Sequence, residues 1–451
     1  MTDATAPAAA AVAAPAIKAV TAGYRCYAMG LLLVIYMLNF VDRQVINILA
    51  EPIKNELHLL DWQLGAMSGL AFALFYTVLG LPIARLAETN HRPRIIAASL
   101  ALWSGFTALS GLAQNFTHLV LARVGVGVGE AGCTPPAHSL ITDYVPKEKR
   151  ASALAFYHMG TPLGALVGFA LGGVVADAYG WRAAFLLCGL PGLLIALIVA
   201  VTLVEPRTRR VIADVRQASV QGSTFRETLA LLATKRTFWL IAFGASIKAF
   251  IGYGHAPFIA SFFFRVHPAE LAAMAKAVGL GPAGFLGLVL GGIAGIAGAL
   301  GSFLGGFIAD KFGARDLRAY MSVPAIATCI AIPVYITALL LPTVQAAMPL
   351  FAANALLGSL WYGPVYATGQ SIVSPHLRAT TSAILLFIVN LIGLGLGPIV
   401  VGLLSDFFAI RLHMGPGEGV RWALVVSALI GVVDIALFWM ARKTIRADME
   451  G

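Results

Sequence analysis

The sequence predicts an all-α membrane protein in which twelve transmembrane helices form two pseudo-symmetric six-helix bundles. Three observations carry this expectation. The 451-residue chain is 59% hydrophobic and only 12% charged, with a mean hydropathy of +0.84, whereas soluble domains carry roughly 25% charged residues. Twelve apolar segments each approach the length of about 20 residues that a helix needs to cross a bilayer core. The two halves of the chain also repeat the same punctuation at a near-constant offset.

The apolar segments are 24–50, 62–87, 95–113, 119–142, 151–176, 183–204, 237–265, 284–309, 320–341, 347–372, 379–405 and 421–441. Backbone polar groups cannot stay unpaired in hydrocarbon, so these read as helices. The short alternating runs of a transmembrane barrel are missing. The expected organisation is a disordered cytoplasmic tail (1–22), an N-terminal bundle (23–206), a cytoplasmic linker (207–236), a C-terminal bundle (237–442) and a second tail (443–451). The Ala- and Pro-rich start lacks the charged n-region and separate apolar core of a cleaved signal. The polar stretch 205–236 holds seven basic and three acidic residues. It is expected to be partly helical and surface-lying, because Phe225-Arg-Glu-Thr-Leu-Ala-Leu-Leu has one apolar side. Pro268 to Val278 also has helical spacing.

The repeat rests on three ordered landmarks. Ala84-Arg-Leu-Ala-Glu88-Thr-Asn-His-Arg92 matches Gly306-Phe-Ile-Ala-Asp310-Lys-Phe-Gly-Ala-Arg315, with the acids 310 − 88 = 222 residues apart. Pro146-Lys-Glu-Lys-Arg150-Ala matches Pro375-His-Leu-Arg378-Ala at 378 − 150 = 228. Gly173-Val-Val-Ala-Asp177 matches Gly402-Leu-Leu-Ser-Asp406 at 406 − 177 = 229. In an apolar chain, duplicated halves point to a secondary transporter.

Loop charge sets the expected orientation. With a cytoplasmic N-terminus, 22 Lys and Arg fall in cytoplasmic segments and 6 in outer ones, a positive-inside bias that places both termini inside. The net charge of +10 follows from this bias and is no sign of nucleic-acid binding. Only Arg43, Arg123 and Lys248 remain as basic residues outside the loops, facing the intramembrane acids Asp42, Glu130 and Asp434.

A charge at the bilayer centre costs at least ~2.5–3.5 kcal/mol, so such residues face a cavity or a partner. Asp42 and Arg43 lie in the outer half of the first helix, and Arg123 in a similar layer of the fourth. Glu130 follows Arg123 by seven residues on the same helix face, roughly 10 Å deeper. Asp42 is therefore expected to pair with Arg123, and Glu130 with Arg43 or Arg123. A buried carboxyl gains or loses a proton as a neighbouring cation leaves or approaches, which suits Glu130 and Asp42 to proton coupling. Asp434 has no basic residue within a helical turn and is expected to make a polar contact only.

Several patterns are discounted. Gly127-Val-Gly129-Glu-Ala-Gly132 fits a dinucleotide fingerprint, but no strand precedes it, and its glycines suit close helix packing. Gly160, Gly164, Gly168 and Gly172 make one smooth packing face. The sequon at Asn115 sits in a very short loop. Cys26, Cys133, Cys188 and Cys329 suggest neither zinc nor a disulfide framework. His138 and His158 read as packing residues. Hydrolase, zinc-protease and P-loop patterns are missing, so the chain is not expected to be an enzyme, and no cofactor or metal is expected.

The paired motifs resemble those of the major facilitator superfamily, whose signature after helices 2 and 8 is G-x-L-A-D-R-x-G-R-R. The 306–315 copy matches well. The 84–93 copy departs from it at Ala84, Glu88, Thr89, His91 and Pro93, which implies a weaker gate. Arg123-Val-Gly-Val-Gly-Val-Gly resembles the superfamily's fourth-helix motif linked to proton coupling. Asn39-Phe-Val-Asp42-Arg43, with Arg123 to Glu130-Ala, Pro135 and Trp181-Arg182-Ala-Ala-Phe185, resembles the Spinster family of lysolipid and sphingolipid transporters. The superfamily likeness spans about 24–441, and the Spinster likeness rests on the N-terminal half.

The resemblance implies alternating access by rocking bundles, with protons as the coupling ion and a charge network of Asp42, Arg43, Arg123 and Glu130. It also implies a cytoplasmic gate of Glu88, Arg92, Arg150, Asp310, Lys311, Arg315 and Arg378. When the inside is closed, Glu88 would approach Arg378 and Asp310 would approach Arg150. A central cavity is expected to hold an amphipathic, lipid-like substrate, with Asn39, Lys248, Tyr253, His255, Trp361, Tyr362 and Tyr366 as candidate contacts. Small organic anions are the alternative substrates, and a non-transporting membrane sensor is the alternative class. The expected setting is a monomer in a bacterial cytoplasmic (inner) membrane, partnered by the bilayer and its substrate, with no nucleic acid.

Overall fold

The structure is a computed structural model that describes residues 20–207, 225–374 and 377–450. The expected N-terminal tail up to residue 19 and the linker over 208–224 lie outside the described residues. Among the described residues every regular element is helical.

Twelve helical spans cross the molecule, and their order follows the apolar segments. In the N-terminal bundle they are span 1 (Ala22–Leu57), span 2 (61–89), span 3 (Arg92–Ser110), span 4 (116–144), span 5 (150–179) and span 6 (181–202). In the C-terminal bundle they are span 7 (Arg236–Val266), span 8 (282–313), span 9 (Ala319–Leu340), span 10 (344–371), span 11 (378–411) and span 12 (415–450). By length and hydropathy alone, nine of the described helices qualify as membrane-crossing. Spans 5 and 6 run on as one helix there, span 4 is interrupted at 131–133, and span 3 opens on Arg92-Pro-Arg94, which lowers its hydropathy.

The turn between spans 5 and 6 needs no loop. Gly180 adopts φ 81° and ψ 165°, a left-handed backbone that costs a glycine little and an L side chain much. The surface helices expected at 225–232 and 268–278 are present as Phe225–Thr234 and Pro268–Ala277. Span 12 continues to Glu450, so residues 443–450 extend a helix where a tail was expected.

An even number of spans leaves both ends of the described chain on one side, here termed the terminal face; the opposite side is the distal face. The buried apolar residues form a single cluster in the distal half, containing Val41, Ile48, Phe169 and Phe185 with Phe258, Phe262, Leu286 and Leu424. In the terminal half they separate into two clusters. One belongs almost wholly to the first six spans and the other to the last six. The bundles are therefore fused distally and part toward the termini.

Backbone contact makes the fusion close. A Cβ on Gly173 of span 5 would strike the Ala283 carbonyl of span 8, and one on Gly65 of span 2 would strike the Pro398 carbonyl of span 11. The same symmetric pairing of spans 5 with 8 and 2 with 11 follows from the repeat. Within the N-terminal bundle, the stripe from Gly160 to Gly172 packs against span 1 between Tyr36 and Ile48, as its smooth face predicted.

Candidate functional site

The charge layer lies between spans 1 and 4. Arg43 donates from Nε to Glu130 Oε2 at 2.8 Å, and its Nη2 lies 2.7 Å from the same oxygen. Glu130 is fully buried and Arg43 nearly so. The guanidinium also sits within about 5 Å of the ring centres of Phe72 (4.8 Å), Tyr76 (4.6 Å) and Phe40 (5.3 Å), where aromatic faces attract a desolvated cation.

The expected Asp42–Arg123 ion pair is not formed. Glu130 pairs with Arg43, one of the two partners expected for it. Asp42 is 2% and Arg123 1% exposed, yet Asp42 Oδ1 and Arg123 Nε and Nη1 find no hydrogen-bond partner among the described residues, nor does Glu130 Oε1. Arg123 feels the charges of Glu130, Asp42 and Arg43 without direct contact. Buried ionic groups need compensating partners, which marks this layer as a candidate site for a proton or a polar ligand.

Beside it lies a cavity of about 340 Å³, at the lower end of the range for small-molecule sites. Its position corrects an expectation. The walls come almost entirely from the C-terminal bundle, with only Gln44 and Phe169 from the other. Lys248, Tyr253, His255, Trp361 and Tyr362 line it as foreseen. Asn39 and Tyr366 do not: Asn39 is buried at 2% exposure among helices, and Tyr366 packs beside Trp361 at 6.1 Å. His255 Nε2 lies 2.9 Å from Ser427 Oγ, and its ring stacks on Tyr335 at 5.0 Å.

Arg43 and Arg123 line a small adjoining pocket with Phe72 and Ser68. Gln44, Tyr253 and Ala256 border both spaces. The charge layer and the apolar cavity are thus neighbours across a wall of a few side chains.

The distal face is closed by a network that the sequence reading passed over. Arg265 of span 7 holds Asp61 of span 2 through two bonds of 2.8 Å, and reaches Glu51 of span 1 at 2.7–2.9 Å. Asp61 also accepts from Lys54 Nζ and Ser405 Oγ, each at 2.6 Å. Paired forks of this kind are among the stronger polar contacts.

Two further acids complete the closure. Asp177 at the end of span 5 accepts from the backbone N–H of Ala283 (3.2 Å) and Gly284 (2.6 Å) at the start of span 8. Asp406 of span 11 does the same for Asp61 (3.0 Å) and Trp62 (2.8 Å) at the start of span 2. Each bundle thus caps a helix of the other, satisfying free N–H groups and meeting the positive end of the helix dipole. Asp177 and Asp406 were visible in the sequence as repeat landmarks, but nothing local told what they touch.

Among the described residues the terminal face differs. Among the described residues, every hydrogen bond and ion pair joining the two bundles lies at the distal end. Asp310 accepts from Tyr320 of its own bundle at 2.7 Å and makes no ion pair with Arg150, which instead donates to the Val145 carbonyl at 3.4 Å. Lys311, Arg315 and Arg378 are exposed. The Glu88 side chain lies outside the described residues.

Arg92 departs from its expected place in the gate. It is fully buried inside the N-terminal bundle, bonded to Glu205, to Asp143 at 2.7 Å and to Ser139 at 2.8 Å, with Arg207 joining Asp143 at 2.8 Å. Position 92 is the first helical residue of span 3 rather than part of a projecting loop, and its side chain turns inward. Burial alone would raise the Glu205 carboxyl, but the Arg92 hydrogen bonds and charge hold it below its ordinary value of 4.5. His138 and His158 lie in an aromatic cluster with Tyr36 and Tyr157, in keeping with packing.

Two like-built bundles, fused at one face and parted at the other around a cavity at mid-depth, define the fold of a two-bundle secondary transporter. The chain matches the family model of the Major Facilitator Superfamily over residues 32–398, and it belongs to that superfamily, a family of transporters rather than enzymes. It is 30% identical over 426 residues to an MFS-type efflux pump of Mycolicibacterium smegmatis, covering 94% of each chain. It is 25% identical to spinster homolog 3 of Danio rerio, covering 94% of this chain and 86% of that one. Among solved structures it superposes with a TM-score of 0.82 on a bacterial homolog of the human lysosomal transporter Spinster, in an inward-facing and unoccupied conformation. That pair shares 33% identity over 95% of this chain and 99% of the other. Within the superfamily the chain is thus Spinster-like.

Proposed function

We propose that the protein is a proton-coupled secondary transporter that moves an amphipathic, lipid-like molecule by alternating access. The observation that carries the reading is the arrangement of Glu130. A fully buried carboxylate whose one directly bonded cation is Arg43 stands near a cavity lined by aliphatic and aromatic side chains with one ammonium. Substrate entering that cavity can displace Gln44 or Tyr253, which border both spaces, and so disturb the Arg43–Glu130 pair. A carboxylate that loses its cation in a low-dielectric site takes up a proton. Return of Arg43 expels it, which ties proton movement to the state of the cavity.

The 22-to-6 bias of basic residues supports a cytoplasmic terminal face in a bacterial inner membrane. The distal closure then corresponds to a carrier open to the cytoplasm. Lys248 in the cavity wall favours an anionic group on the substrate, and keeps small organic anions as the second reading.

The test is flux in proteoliposomes. A fluorescent lysolipid and a radiolabelled sugar acid are compared with and without an imposed pH gradient, for wild type and Glu130→Gln. The proposal expects gradient-driven lysolipid flux that Glu130→Gln reduces at least about tenfold while gradient-free exchange persists. Full gradient-driven flux in the variant would remove Glu130 from coupling. Flux of the sugar acid alone would select the second reading.

A further inference from the structure

The C-terminal bundle buries a second pair of opposite charges that the mechanism above leaves unused. Lys248 stands on span 7, about twelve residues or roughly 18 Å from the terminal end, and its side chain lines the cavity. Behind it, Asp434 of span 12 is 0% exposed. Its Oδ2 lies 3.5 Å from Thr328 Oγ1 on span 9, and its Oδ1 has no hydrogen-bond partner among the described residues. Thr328 joins the two sites, lining the cavity together with Lys248 and contacting Asp434 from behind, while Lys248 and Asp434 form no direct ion pair.

The geometry points to a ligand-released ion couple: Lys248 binds the anionic headgroup of an amphiphile entering the cavity, and Asp434, losing its counter-charge, takes up one proton. This rests on the cavity being the substrate site, and adds a substrate charge and a second proton-binding group. The physical reason is the asymmetry of burial. Lys248 can turn from Asp434 toward the cavity because its flexible stem ends at the cavity wall. Asp434 has neither solvent nor another cation to turn to, and an unpaired buried carboxylate is strongly disfavoured. Charge balances in the step: one anion and one proton enter together, so the bundle's net charge is unchanged.

The surrounding titratable groups do not offer another acceptor. On span 7, His255 is engaged with Ser427 and stacked under Tyr335 of span 9, while Arg265 is tied up at the distal face. Tyr253 and Tyr362 are phenols across the cavity. On span 9, Cys329 is exposed and Tyr320 is bonded to Asp310 near the terminal face. On span 12, Arg442, Lys443, Arg446 and Asp448 lie two or more turns toward the terminal end, and Arg421 and Glu418 pair at the distal end. The apolar wall beyond Lys248, with Ile251, Leu290 and Ile332, suits the chain of an amphiphile.

The experiment uses full-length protein in nanodiscs of neutral lipid, with empty nanodiscs as the blank. Octanesulfonate, an anion at every working pH, is compared with neutral octyl glucoside by calorimetry in two buffers of different ionisation enthalpy, which counts protons. Wild type is expected to prefer the anion on the order of tenfold and to take up a proton with it. Lys248→Gln should lose the preference and Lys248→Arg keep it. Asp434→Asn should bind the anion at least as tightly with no proton uptake. Persistent preference in Lys248→Gln, or persistent uptake in Asp434→Asn, overturns the couple. His255→Gln serves as a control and should leave uptake unchanged; loss of uptake there assigns the proton to His255 and also overturns it. If neither amphiphile binds wild type, the cavity reading itself fails; if octyl glucoside binds without any anion preference, only this inference does.

Discussion

Removing both distal caps should open the distal face, by an amount the structure lets one work out. Asp177 and Asp406 each accept two backbone N–H bonds, of 2.6–3.2 Å, from the first turn of a helix in the opposite bundle. Replacing an N-cap acid by Ala costs about 0.5–2 kcal/mol, and the lost dipole attraction is part of that range. These bonds exist only when the face is closed, so their loss bears on the difference between states rather than on overall folding. Asp177→Ala with Asp406→Ala should therefore disfavour the closed form by about 1–4 kcal/mol, and about 2 kcal/mol is roughly a thirty-fold change in the ratio of states. Spin labels at Tyr179 and Val278, both exposed at the distal ends of spans 5 and 8, report the separation by pulsed dipolar spectroscopy. A second, longer distance should grow from the single variants to the double. A distance distribution identical to that of the parent in the double variant would refute the latch.

Arg265→Ala should act in the same direction and also lower stability, because it strands Asp61 and Glu51; about 3–5 kcal/mol is the scale for breaking a buried pair, read as a fall in thermal midpoint with a longer Tyr179–Val278 distance. Glu205 is held below its usual 4.5 by Arg92, so its contribution is fully present above the unfolded value and is lost as pH falls through the lower folded one. The melting temperature should accordingly decline below about pH 4.5, and Arg92→Gln should flatten that acid limb; an unaltered limb would separate Glu205 from the effect. Double-mutant cycles on thermal stability should give a coupling of about 0.5–3 kcal/mol for Arg43 with Glu130, which touch, and a smaller one for Asp42 with Arg123, which do not. Equal couplings would mean that the two pairs share one contact network.

Fold and duplication were legible in the chain because they depend on local quantities. Segment length against bilayer thickness, and the recurrence of Asp310, Arg378 and Asp406 at the offsets of Glu88, Arg150 and Asp177, need no knowledge of partners. The shared outer layer of Asp42, Arg43 and Arg123 was also readable from helix rise, whereas Glu130, expected roughly 10 Å deeper, lies within reach of Arg43. Arg43 was one of two partners foreseen for Glu130, but the choice between them and the missing Asp42–Arg123 pair were not readable, because a rotation of one residue around span 1 decides whether Asp42 or Arg43 meets span 4. Arg92 was misplaced for a similar reason: its loop position suggested a gate, while the start of span 3 turns it inward to Glu205 and Asp143.

The sequence by itself determined that this chain is a twelve-helix membrane protein of duplicated halves, with a few intramembrane charges that demand partners. Only the tertiary structure decided what those partners are. Asp434 and Lys248 are 186 residues apart, 434 − 248, and come to the two sides of one cavity wall only through the packing of spans 7, 9 and 12. The cavity likewise belongs to the C-terminal bundle because the distal fusion and terminal parting leave space there. Periodicity fixes which face of a helix is apolar, but the rotation and tilt that bring two faces together are collective properties of all twelve helices.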